Sequence, residues 1–96
     1  MVEVRKTDEF ASWLSALRDI RAKAKVLARI SNMENGNFGD CEPVGKGVSE
    51  SKIHYGPGYR LYFIQRGAAV IVLLVGGDKS TQSRDIAMAQ ELAAGL

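Results

Sequence analysis

A chain of 96 residues holds one hydrophobic core and not two, and its 46% apolar and 25% charged residues are the balance of an ordinary globular domain. A net charge of only +2 excludes bulk-charge binding of polyanions, so any affinity for nucleic acid rests on where the thirteen lysines and arginines stand. The single cysteine, Cys41, excludes an internal disulfide and a four-ligand zinc cluster. No apolar signal-like segment opens the chain and no run approaches the ~18 apolar residues of a membrane span, so the expectation is a cytoplasmic protein without membrane association.

Val2 and Val4 alternate with Glu3 and Arg5, the pattern of a short half-buried strand. Thr7 then offers a helix cap with Asp8 and Glu9 in the first turn, where acids suit the helix dipole. Phe10, Trp13, Leu14 and Leu17 follow at helical spacing, the pattern resets near Asp19, and Val26, Leu27, Ile30 and Met33 carry a second stripe. Two helices, or one bent helix, are expected over 8–34, closed by Asn35-Gly36. Residues 36–47, with four glycines and a proline, read as an irregular connection.

From Val48 the pattern turns to strand. "VSESKIHY" leads into Gly56-Pro57-Gly58, then "YRLYFIQR", then an apolar "AVIVLLV" with both faces buried. "GGDKSTQS" breaks that strand, and Ser80 or Thr81 caps a last helix carrying Ile86, Ala89, Leu92 and Ala93. The whole is expected to be one α+β domain over 1–96: two N-terminal helices on a curved, mainly antiparallel sheet of about four strands, with a C-terminal helix.

Strand alternation directs attention to one surface. Lys52 and His54 share a face of their strand, and Arg60 and Tyr62 share a face of the next. Pairing across the Gly56-Pro57-Gly58 turn brings these four together, and like charges facing each other across strands repel, which a bound phosphodiester relieves. Lys79 stands near the start of the last helix, where the dipole disfavours a cation and free amides attract an anion. Arg18, Arg21, Lys25 and Arg29 form a basic stripe at helical spacing, which is a solvated face, a partner surface or an RNA contact. No paired acids at metal-hydrolase spacing, no GxSxG and no phosphate-loop motif occur, so no metal or cofactor is expected.

The stretches "GVSESKIHYGPGYRLYF" and "VIVLLVGGDKSTQSRDIAMA", with "FASWLSALRDIRAKAKVLARI" and the "GNFGD" loop, resemble the RelE/ParE superfamily of bacterial toxins along essentially the whole chain. The similarity is greatest to its HigB-like branch, the addiction module killer proteins. That resemblance implies a RelE-like fold and the toxin of a type II toxin–antitoxin pair, a ribosome-dependent messenger RNA endoribonuclease that inhibits translation without a metal. It implies attack of a ribose 2′-hydroxyl on its own 3′-phosphate, with Arg60 of the GYR motif holding that phosphate. Lys79 of GGDKSTQ is a second cation, and Lys52 or His54, with Tyr62 as an outside candidate, carries the proton transfers.

The partners implied are a helix-turn-helix, HigA-like antitoxin, the ribosome with its messenger, and operator DNA through the antitoxin complex alone. Relatives in this branch often carry Glu-hydrophobic-Arg where this chain has Glu50-Ser51-Lys52, so Ser51 is expected to pack poorly and Lys52 to bind phosphate less geometrically. Two alternatives stay open: a ParE-like protein that poisons gyrase, and a remnant that only binds its antitoxin.

Overall fold

The computed structural model describes residues 1–96 and is an α+β domain of five strands and three α-helices. Strand β1 (Glu3–Lys6) precedes helices α1 (Asp8–Ala16) and α2 (Ile20–Glu34). Strands β2 (Asp40–Gly45), β3 (Val48–Ile53), β4 (Tyr59–Arg66) and β5 (Val70–Asp78) follow, then a 3-10 turn (Lys79–Thr81) and helix α3 (Gln82–Ala94). The sheet order is β1-β5-β4-β3-β2, with β1 parallel to β5 and every other pairing antiparallel. No helix is long and apolar enough to cross a membrane.

Local chemistry sets the helix boundaries. Thr7 accepts from Phe10 N as the cap of α1, while its hydroxyl donates to the Leu74 carbonyl of β5 at 2.6 Å and so docks the helix on the sheet. Asp19 accepts from Arg21 N and Ala22 N as the cap of α2, which is why the apolar pattern resets there and the helices are two. Each face of the sheet carries a core. Phe10, Leu14, Ala22, Val26 and Met33 from α1 and α2 pack with Leu61, Phe63, Ile71 and Leu73 on one face. On the other, Ala89 of α3 packs with Val48, Tyr62, Ile64, Val72 and Leu74. Thus β5 is buried on both faces, as its unbroken apolar run requires.

Three expectations need correction. The sheet has five strands and not about four, because residues 40–45 form an edge strand and not a loop. Pro43 is tolerated there because an edge strand can leave one side of its ladder unpaired. Lys46 and Gly47, both at positive φ, make the two-residue reversal into β3 that matches the twist of paired strands. Second, Gly76 and Gly77 lie inside β5 and do not end it. A Cβ on Gly76 would meet Trp13 Cε3 at 2.1 Å, and one on Gly77 would meet Asp85 Oδ2 at 1.9 Å, so helices close on both faces at that point. Third, Thr81 occupies the cap position of α3 without making the cap bond; its hydroxyl donates to the buried Asp85, and Asp78 instead caps the short turn through Ser80 N.

Candidate functional site

The site lies on the α3 face of the sheet, where β3, β4 and the turn before α3 meet. Register places Lys52 opposite Arg60 and Glu50 opposite Tyr62. The Gly56-Pro57-Gly58 turn closes with Gly58 N donating to the Tyr55 carbonyl at 3.0 Å, which sets β4 beside β3 at this register. Lys52, His54, Arg60 and Lys79 then line one open depression of about 390 Å³, together with Tyr55, Gly56, Pro57 and Gly58. All four residues expected to carry the chemistry therefore converge.

The electrostatics differ from expectation. Sequence reasoning pictured bare cations awaiting a polyanion, yet three carboxylates already face them. Glu50 is only 2% exposed and accepts from Arg60 Nη1 at 3.2 Å and Gln82 Nε2 at 3.3 Å, with Lys52 Nζ at 3.8 Å. Glu42 of the edge strand takes Lys52 Nζ at 2.6 Å. Asp40 holds His54 Nε2 at 2.6 Å. Glu42 holds the Lys52 ammonium above the ordinary lysine range, so Lys52 is a proton donor or a fixed charge and does not serve as a base near neutral pH. The same contacts hold the Asp40 and Glu42 carboxyls below the ordinary carboxylate range. Lys79, exposed on its turn, forms no ion pair within the chain.

Tyr62 does not reach the surface. Its ring is fully buried in the α3-side core, its hydroxyl finds no partner there, and burial pushes the phenol well above its ordinary range, so it is a packing residue and not an RNA contact. The basic stripe is also not one surface. Arg18 sits in the connection between α1 and α2, and Arg29 turns inward to donate to Ser51 Oγ and the Lys52 carbonyl, both at 2.7 Å. Arg21 and Lys25 remain exposed on α2, with Lys25 Nζ 5.3 Å from the centre of the Tyr55 ring. Ser51 is likewise no packing defect: it is fully buried, accepts from Arg29 and donates to the Phe38 carbonyl at 2.7 Å. Arg29 also lies flat against Gly39, where a Cβ would fall 2.4 Å from its Cζ, so the 37–39 loop is clamped onto the sheet.

Sequence reasoning missed Asp40, Glu42 and Gln82, which lie in the unrecognised edge strand and on α3. The alternation of Asp40 and Glu42 about Cys41 was their only signal. No three His, Cys, Asp or Glu side chains converge as a metal cage.

No family model matches the chain. A protein of Haemophilus influenzae (strain KW20 Rd), described only as uncharacterized, is 47% identical over 92 residues, covering 96% of this chain and 93% of the other.

Proposed function

This chain belongs to the same family as the Haemophilus influenzae protein, and we propose that it is the toxin of a type II toxin–antitoxin pair, a HigB-like member of the RelE/ParE superfamily that cuts messenger RNA on the ribosome. One observation carries the reading: Lys52, His54, Arg60 and Lys79, spread over β3, β4 and the turn after β5, line a single solvent-open depression. A depression with three permanent cations and an imidazole suits a phosphodiester, and its openness suits a strand presented by a larger body.

In this reading Arg60 and Lys79 hold the scissile phosphate and offset the charge gained as the phosphorane forms. His54 takes the proton of the 2′-hydroxyl, whose oxygen bonds to phosphorus as the bond to the 5′-oxygen breaks. Lys52, held as an ammonium by Glu42, returns a proton to the departing 5′-oxygen. The products are a 2′,3′-cyclic phosphate and a 5′-hydroxyl. The partners are the ribosome and its messenger, and a helix-turn-helix antitoxin through which alone the chain reaches operator DNA.

A second reading is favoured by the carboxylates: Asp40, Glu42 and Glu50 already pair with His54, Lys52 and Arg60, leaving Lys79 alone unpaired, as suits a chain that only binds its antitoxin. The test is to induce the chain in growing cells and map messenger ends, then repeat with purified chain and translating ribosomes. Ribosome-dependent 5′-hydroxyl ends are expected. Arrest with intact messages and altered supercoiling points to gyrase, and no arrest at all leaves the binding protein.

A further inference from the structure

His54 lies just past the end of β3, on the ridge between two depressions. Lys52, Arg60 and Lys79 share the first with it, and Lys25 and Arg29 of α2 share the second. Against this ring of cations, Asp40 is the one carboxylate in hydrogen-bond contact with the imidazole, at 2.6 Å through Nε2. His54 Nδ1 makes no hydrogen bond within the chain. An ionised carboxylate only accepts, so Nε2 carries the proton and the lone pair of the neutral ring is left on Nδ1.

The contact is placed by the fold and not by two loose side chains finding each other. Asp40 opens β2 opposite Lys52 in register, two residues before His54. The loop leading to it is fixed on three sides: Gly39 N donates to Asn37 Oδ1, Ser51 Oγ holds the Phe38 carbonyl, and the Arg29 guanidinium covers Gly39. Both side chains are nevertheless more than half exposed, at 73% for His54 and 56% for Asp40. An exposed pair of this kind adds little to folding stability, so a fixed contact here is better explained by what it does to the ring.

We infer that Asp40 is a positioning residue that fixes His54 in the Nε2–H tautomer, leaving Nδ1 as the acceptor of the ribose 2′-proton. This rests on the nuclease reading. The proton passes from the 2′-hydroxyl to Nδ1, giving an imidazolium whose Nε2–H remains on Asp40, and it is returned to solvent after the 5′-oxygen has left.

Because His54 is the chain's only histidine, its imidazole signals in a nitrogen-15 spectrum need no assignment. The experiment compares wild type, Asp40→Asn and Asp40→Glu by that spectrum and by single-turnover cleavage on programmed ribosomes. A single Nε2–H tautomer is expected in the wild type and a mixture in Asp40→Asn. The saturating cleavage rate of Asp40→Asn should fall about tenfold or more with half-saturation unchanged, and Asp40→Glu should recover part of it. Cleavage by Asp40→Asn at the wild-type rate overturns the inference and leaves the nuclease standing. A tautomer that depends on Asp40 in a wild-type chain that cuts nothing overturns the nuclease reading and retains the orienting contact. A mixed tautomer in the wild type overturns the inference outright.

Discussion

Arg60 Nη1 donates to Glu50 Oε1 at 3.2 Å, so a guanidinium that lines the site is also the counter-charge of a carboxylate that water scarcely reaches. Removing one partner of such a pair strands the other in a poorly solvated place, which costs far more than the pair contributes when intact. Arg60→Ala is therefore expected to lower the unfolding free energy by about 3 kcal/mol in urea titrations. Adding Glu50→Gln to it should restore part of that loss. An Arg60→Ala chain as stable as wild type would refute the coupling, and its loss of activity would then report on phosphate contact alone.

Lys79 makes the cleaner probe of the chemistry. It is exposed, forms no ion pair and stands on a turn whose cap is supplied by Asp78. Lys79→Ala should keep stability within about 0.5 kcal/mol. Cleavage should fall about 100-fold, the scale of losing one charge aimed at a developing oxyanion. Normal melting with normal cutting would remove Lys79 from the site.

The buried Tyr62 hydroxyl lacks a partner, so Tyr62→Phe should raise stability by about 1 kcal/mol at neutral pH. A pH effect accompanies it. Burial raises the phenol's pKa, so above pH about 10 the unfolded chain releases a proton that the folded chain keeps, and stability falls as pH rises. Lys52 acts in the same direction, since its contribution is present below the unfolded pKa and lost as pH climbs through the raised folded one. Tyr62→Phe should flatten this alkaline decline without abolishing it, as thermal melts across the alkaline range would reveal.

At the acid end the sign reverses. Asp40 and Glu42 have depressed carboxyl pKa values, through the hydrogen bonds of His54 and Lys52 respectively. Their contribution is present above pH about 4 and is lost as pH falls through the lower folded values. Melts between neutrality and pH about 2 should show a shallower acid limb in Asp40→Asn combined with Glu42→Gln. An unchanged limb would mean that these exposed pairs add nothing measurable to stability.

The apolar spacing of Phe10, Leu14, Val26 and Met33 made the helices legible, and period-two alternation made Lys52, Arg60 and their shared face legible. Residues 40–45 were not, because an exposed edge strand buries almost nothing and carries no hydrophobic period, and its proline and glycine read as loop. Asp40 and Glu42, two of the three acids of the site, were lost with that strand. Tyr62 and Lys52 lie on the same sheet face, so alternation alone could not separate a core ring from a surface cation; α3 covers the one and leaves the other open. Ser51 was misread for a related reason. A serine among apolar neighbours looks like a fault until the inward turn of Arg29 supplies its bond.

At Gly76 and Gly77 the backbone of β5 is gripped by Trp13 from one side and Asp85 from the other. Gly77 is also the register partner of Arg60, and Lys79 follows only two residues later. Arg60 is thus on the β4–β5 ladder at Gly77 and Lys79 on the turn that leaves it, beside the point where α1 and α3 pack most closely on the backbone. If the site takes an RNA strand, the spacing of these two cations would be set by the packed glycines of β5 rather than by a loop.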